Sequence, residues 1–198
     1  MKKLFLFDAM ALIYRAHFAF AKTPRISSKG INTSAVFGFA NTILEVIQKE
    51  KPDYLGVAFD TPAPTFRHIE YTPYKAQREK QPEDITIAIP YVKRFVEALD
   101  IPILILDGYE ADDIIGTLAK KAEKEGYQTF MVTPDKDFAQ LVSENIFMYR
   151  PRFGGGYETW GIPEVQEKFG VKNPEQVIDF LGMMGDSADN IPGLPGVG

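Results

Sequence analysis

Five short apolar runs constrain this chain more than any other feature: Lys3–Phe7, Tyr54–Phe59, Ile103–Leu106, Thr129–Val132 and Ile146–Tyr149. None keeps a clean apolar–polar alternation. A strand with one wet face alternates; a strand buried on both faces reads as a continuous apolar run. The runs therefore predict a mainly parallel sheet covered on both sides. The segments between them read as helices. Thr33–Glu50 carries Val36, Phe37, Ala40, Ile43, Leu44 and Ile47 at a spacing of three and four, with Lys49, Glu50 and Lys51 at its end. Tyr91–Leu99 and Asp112–Glu125 behave likewise, the second stopping at Gly126. Strand and helix in alternation predict a doubly wound α/β fold flanked by helices. Gly154–Gly156 suggests a hairpin tip before Tyr157–Trp160. Ile162–Phe169 and Pro174–Met184 read as two further helices, with Asn173 as N-cap and Pro174 at the first position of the second. A length of 198 residues is enough for one such domain and a small appendage.

The carboxylates fall where the strands end. Asp8 closes L-F-L-F-D and Asp60 closes V-A-F-D. Glu110, Asp112 and Asp113 stand in Y-E-A-D-D, Asp135 and Asp137 in T-P-D-K-D, and Asp186 and Asp189 in G-D-S-A-D-N. Ligands of open α/β sheets bind beyond the carboxyl ends of the strands. Two carboxylates about 4 Å apart repel by roughly 4 kcal/mol at an effective dielectric near 20, so such a gathering calls for a cation. The sequence has no cysteine and only His17 and His68. Zinc–thiolate, iron–sulfur and histidine-rich sites are excluded, and hard oxygen ligands favour Mg²⁺ or Mn²⁺. Nine acids exceed the needs of one octahedral ion. Two ions match the supply and the chemistry of phosphodiester cleavage.

Each acid also has an ordinary explanation. Asp8 and Asp135 suit helix N-caps, Asp60 before Thr-Pro suits a turn, and the acids at 110–113 would oppose a helix dipole. Five such coincidences at one sheet edge are less economical than a shared site. On a helix Glu110 and Asp113 would share a face and Asp112 would point elsewhere; Asp186 and Asp189 could likewise share a face.

Net charge is −5, but setting the nine acids aside as ion-neutralised leaves the rest of the chain at +4. Charge distribution therefore matters more than its sum. Residues 61–90 hold Pro62, Pro64, Pro73, Pro82 and Pro90 together with Arg67, His68, Lys75, Arg78, Lys80, Phe66, Tyr71 and Tyr74. A long basic, aromatic connection of this kind suits a lid or arch over a charged substrate. The start, M-K-K-L-F-L-F, mimics a secretory signal, but Asp8 interrupts it and Arg15 and His17 precede the A-F-A at 19–21. No run reaches the length of a membrane span, and a cytoplasmic protein is expected.

These motifs, in this order, carry a resemblance: L-F-D, V-A-F-D-x5-F-R, Y-K-x-x-R, Y-E-A-D-D, T-x-D-K-D and M-G-D-S-A-D-N-I-P-G-x-P-G-V-G. The chain resembles the 5′-nuclease family with its PIN-like fold, in particular the N-terminal 5′→3′ exonuclease domain of bacterial DNA polymerase I, a relative of flap endonucleases. The resemblance implies a two-metal nuclease for 5′ flaps, single-strand/duplex junctions and RNA primer–DNA hybrids in replication and repair. It implies a first metal site of Asp8, Asp60, Glu110 and Asp112, and a second of Asp113, Asp135, Asp137 and Asp186, with Asp189 farther out. Lys75, Arg67 and Arg78 would hold the scissile phosphate; Arg15 would also contact nucleic acid, and Tyr74 would stack on an unpaired base. A monomer and a parent chain with a polymerase domain are expected.

The last residues, G-L-P-G-V-G, resemble the start of a helix-hairpin-helix element, whose backbone at Gly193, Gly196 and Gly198 would face duplex phosphates and bind a monovalent cation. The expected division is a catalytic domain at 1–172, with an arch at 61–90, and the beginning of this DNA-binding element at 173–198, cut short within the motif. Three alternatives stand beside this reading. One is a single-strand ribonuclease of the PIN class. Another is a haloacid-dehalogenase-like phosphatase with Asp8 as nucleophile, although Met10 stands where a second acid is wanted. The third is a DNA-junction binding module with impaired catalysis.

Overall fold

In the computed structural model, which describes residues 1–152 and 155–197, six strands form one sheet. They are β1 (Lys3–Asp8), β2 (Tyr54–Ala58), β3 (Ile103–Leu104), β4 (Gln128–Val132), β5 (Ile146–Pro151) and β6 (Tyr157–Trp160), in the spatial order β3-β2-β1-β4-β5-β6. The first five run parallel; β6 closes the edge antiparallel to β5. Phe7 of β1 stands level with Val57 on one side and Val132 on the other. That register brings the residues following β1, β2 and β4 to one edge. Gly154 of the expected hairpin tip, and Gly198, lie outside the described residues.

β1 alternates between two cores, as the two-residue period of a strand requires. Phe5 and Phe7 join Phe39, Ile43, Ile85 and Val92 on one face, and Leu6 joins Ile115, Met131 and Met148 on the other. The first face is covered by α1 (Ala9–Ala19), α2 (Ser34–Glu50) and α4 (Glu83–Ala98). The second is covered by α5 (Ala111–Lys124), α6 (Ile162–Phe169) and α7 (Val177–Met184); a short α3 (Phe66–Glu70) lies between β2 and α4. Each fully buried Phe or Ile contributes about 1.5–3 kcal/mol relative to exposure. This is the doubly wound, mainly parallel α/β arrangement expected.

Several local expectations are corrected. The buried stripe of α2 is Ala35, Phe39, Thr42, Ile43 and Val46, whereas Phe37 and Leu44 are exposed. The expected stripe is met in part: Ile43 is buried, and Val36 and Ile47 pack partly buried against the same core. α2 crosses α1 closely on its buried side: a Cβ on Gly38 would lie 2.5 Å from Ala16 Cβ on α1. The segment after β1 folds as a core helix with Leu12, Ile13 and Ala16 buried. β3 ends at Leu104, leaving Ile105 and Leu106 exposed. The irregular connection stops at Pro82, because α4 begins at Glu83 and carries Pro90 within it. Pro174–Gln176 form a 3-10 turn before α7. Pro174 and Val177 are buried, Val177 within the second core, so the chain beyond 172 packs against the sheet domain.

Candidate functional site

Asp8 ends β1 and caps α1. One carboxylate oxygen accepts from the Ala11 N–H (3.1 Å) and the other from the Thr133 hydroxyl (2.9 Å) at the end of β4. Burial pushes its pKa from 3.8 up to about 6, and the charges of Asp60 and Asp135 push the same way. Asp60 accepts from the Ala111 N–H at the start of α5 (2.8 Å). Asp112 reaches solvent from the floor of a cleft where protein surrounds it. That desolvation, with Asp8, Asp135, Asp60 and Glu110 nearby, raises its pKa to about 8. Asp135 caps the 3-10 turn Lys136–Leu141 through the Asp137 N–H (2.9 Å), and its pKa is also raised by burial.

Asp8, Asp60, Glu110, Asp112 and Asp135 line one cleft of about 590 Å³, whose far wall holds Lys75, Gln77 and Arg78. Glu110 and Asp112 also line a second cleft behind it, shared with Asp113, Asp137 and Asp189. The helical-spacing expectation holds only in part: Glu110 and Asp113 share the second cleft, but not the first. It is Asp112, not Asp113, that accompanies Glu110 toward Asp8. Glu110 is the cap of α5 with extended backbone (φ −89°, ψ 162°), so the three-residue rule of a helix does not reach it.

Asp113 is engaged elsewhere. Arg67 grips both its oxygens (2.7 and 2.8 Å), and it accepts the Glu110 N–H (3.0 Å). Burial raises its pKa, but these partners outweigh burial and lower it overall. As placed, Asp113 and Arg67 engage each other. Arg15 donates to the Arg152 carbonyl. Asp137 pairs with Lys136 (2.9 Å). Asp186 caps its own loop through the Ala188 and Asp189 N–H groups, and its charge is felt at Asp135.

The connection 71–78 docks on the loop 186–191. Tyr74, expected to stack on a base, is instead 5% exposed. Its hydroxyl lies 3.0 Å from both Glu110 and Asp189, and burial, reinforced by these two anions, raises its pKa strongly. Lys75 donates to Glu110 (2.7 Å), Arg78 pairs with Asp189, and the Lys75 N–H reaches the Asp189 carbonyl (3.0 Å). Asn190 donates to the Pro73 carbonyl and Tyr71 to the Asn190 carbonyl. Lys75 (φ 56°) and Asn190 (φ 60°) both adopt left-handed backbone, a conformation held only where surrounding contacts over-determine it. The acids at 186–191 are thus drawn toward the cations of 74–78.

Of the terminal glycines, Gly193 is packed rather than displayed. A Cβ there would lie 2.2 Å from the Met184 carbonyl oxygen, and one on Gly185 would lie 2.3 Å from the Gly193 nitrogen. The Leu194 and Val197 N–H groups bond within the protein, to Met183 and Leu194. Gly196 (φ 85°) has open space around it. Sequence reasoning missed Thr133, which sits inside T-P-D-K-D and supports Asp8. It also missed Tyr14 and Phe18 of α1, which line the first cleft; their signal was an aromatic pair four apart on a helix that had gone unread.

A family model described as "5'-3' exonuclease, N-terminal resolvase-like domain" matches residues 3–170. A 5'-3' exonuclease of Aquifex aeolicus is 42% identical over 198 residues, covering all of this chain and 66% of that protein. DNA polymerase I of Bacillus subtilis is 45% identical over 199 residues, covering all of this chain and 22% of that protein. The chain therefore spans just under two thirds of the first relative and about a fifth of the second. Among solved structures, T5 5'-exonuclease with bound zinc superposes with a TM-score of 0.78 at 22% identity, over all of this chain and 72% of that one. The T5 D15 flap endonuclease complex with DNA and metal ions gives 0.75 at 21%, over all of this chain and 71% of that one. At such identity the likeness establishes the fold.

Proposed function

Since the chain belongs to the family of 5'-3' exonuclease N-terminal, resolvase-like domains, we propose that it is a metal-dependent, structure-selective 5′ nuclease. Its substrate is DNA with a 5′ single-strand/duplex junction, and its task is removal of flaps and primers. The observation that carries this is the meeting of Asp8, Asp60, Glu110, Asp112 and Asp135 in one cleft opposite Lys75 and Arg78.

The donor set suits Mg²⁺ or Mn²⁺ in chemistry: every donor is a carboxylate, and burial, with the neighbouring carboxylates adding to it, raises the pKa values of Asp8 and Asp112. Among the described residues no three acidic or histidine side chains are gathered tightly enough to hold an ion between them as they stand. Lys75 holds Glu110 at 2.7 Å, and Glu110 would have to exchange that partner to serve an ion, which would leave Lys75 for a phosphate. Asp8, Asp60, Glu110, Asp112 and Asp135 would hold the metal, with Asp137 and Asp186 on the farther side and two ions in all. Divalent ions so held supply charge neutralisation, a water of lowered pKa and stabilisation of the departing oxygen.

The chain's own residues do the rest. Lys75 and Arg78 hold the non-bridging phosphate oxygens as charge builds on them. The carboxylates orient the attacking water and take its proton as the new O–P bond forms. The P–O3′ bond breaks in line, and the 3′-oxygen leaves with a proton from solvent. Thr133 fixes the rotamer of Asp8, and the Ala111 N–H fixes Asp60.

Cleavage of a duplex with an unpaired 5′ extension tests the reading. Millimolar Mg²⁺ should support release of 5′-phosphorylated products, and Asp112→Asn should slow it about 10²–10³-fold, the scale of losing one preorganised electrostatic contact. Full activity in EDTA, or in Asp112→Asn, would sink it.

A further inference from the structure

The two clefts share a wall but differ in lining. The first holds Tyr14 and Phe18, the latter 61% exposed, beside Lys75 and Arg78. The second has no exposed aromatic side chain: Phe138 is 3% exposed, and one flank is α5, presenting Thr117, Lys120, Lys121 and Lys124. Most of its acids are matched: Asp113 by Arg67, Asp137 by Lys136, Asp189 by Arg78 and Glu110 by Lys75, while Asp112 makes no ion pair among the described residues. Glu123 accepts from Ser143 and lies 3.9 Å from Lys120. Lys121 and Lys124 are exposed and make no ion pair among the described residues.

We propose that this second cleft is a phosphate track for the paired part of the substrate, with Lys121 and Lys124 as its contacts and Thr117 as a neutral donor nearer the acids. The inference rests on the nuclease reading above. Three observations carry it. The cleft opens onto Glu110 and Asp112, the same acids that face the first cleft. Its unpaired charges are Lys121 and Lys124 against Asp112 alone, a positive balance complementary to a sugar–phosphate backbone. It offers lysine charges without stacking surfaces, which suits bases already stacked within a duplex; the aromatic first cleft suits unpaired bases. The spacing agrees as well. At about 1.5 Å rise per residue, Lys121 and Lys124 stand roughly 14 and 18 Å along α5 from Asp112. At about 3.4 Å per nucleotide, that is some four to five nucleotides from the point of cleavage.

The ordinary role for lysines in the last turn of a helix is to offset its dipole. The two roles predict different measurements. On an Asp112→Asn background, which suppresses cleavage, binding of a fluorescent duplex with a 5′ single-stranded extension is followed in Mg²⁺ from 50 to 200 mM KCl. Adding Lys121→Ala/Lys124→Ala should make the plot of log affinity against log salt shallower by about 1.8, two phosphate contacts at about 0.9 each. Binding of the single-stranded oligonucleotide alone should not change. Lys49→Ala, at the opposite edge of the sheet, should leave both slopes as they were.

An unchanged junction slope overturns the track and leaves the nuclease reading standing. An equal loss on the single strand overturns the duplex assignment. Failure of the parent protein to bind the junction in preference to a blunt duplex overturns the nuclease reading, and the track with it.

Discussion

Asp8 and Asp112 keep their protons to higher pH in the folded protein than carboxyl groups ordinarily do, with pKa values raised by burial to about 6 and about 8 from an ordinary 3.8. A carboxyl whose folded pKa lies above its unfolded one stabilises the fold at low pH and withdraws that stability as pH rises through the folded value. In EDTA, thermal stability should therefore fall between about pH 4 and pH 8, with the upper part of the fall belonging to Asp112. Asp112→Asn should flatten that upper part, and melting curves across pH would show it; a flat profile in the parent protein would refute the assignment. The identity of these acids was legible because strand ends can be read from apolar runs. Their grouping by helical spacing was not, because Glu110 is a cap with extended backbone and helical spacing starts only after it. Nor could spacing show that Arg67 would take both oxygens of Asp113. That pairing joins residues 46 positions apart and depends on where α3 ends up.

At the level of elements, the feature that sequence reading could not supply is the docking of 71–78 onto 186–191. Both were singled out as motifs, but nothing local says that they meet. The glycines around the second segment show how tightly it is folded. Gly193 lies against the Met184 carbonyl, and Asp186 and Ile191 exchange backbone hydrogen bonds of 2.9 and 2.8 Å. A methyl group at 193 has no flexible neighbour to displace, only backbone. Gly193→Ala should destabilise this loop by about 1–3 kcal/mol and speed amide exchange over both 183–194 and 73–78, since each holds the other. Exchange confined to 183–194 would show that the two segments open independently. Elements with strong periodicity were read well: α6 matches its expected bounds, and α5 begins and ends within a residue of them. α4 was entered late because Pro90 reads as a helix breaker, although its first turn, Glu83 and Asp84, carries the acids a helix start favours.

For the whole molecule, a sheet that gathers carboxylates at one edge should gain stability from whatever neutralises them. A ligand binding only the folded state at a hundred times its dissociation constant adds about 2.7 kcal/mol. For a chain of this size that is roughly 5–10 °C in melting temperature. Mg²⁺ at pH 8 should therefore raise the melting temperature by several degrees, and EDTA should remove the gain. Na⁺ at matched ionic strength should not reproduce it; an equal rise with Na⁺ would reduce the effect to screening. The sheet order has another consequence, for how the chain is made. β1 leaves the ribosome before the other five described strands and ends up inside the sheet, between β2, which begins about 50 residues later, and β4, which begins about 125 residues later. At about 5–20 residues per second the wait for β4 is roughly 6–25 s. During that time Phe5 and Phe7 have at most one strand neighbour, so one flank of the nascent sheet is left as an open edge. Chaperone dependence and aggregation during synthesis should thus be governed by the interval before residue 132 emerges, more than by the stability of the finished fold.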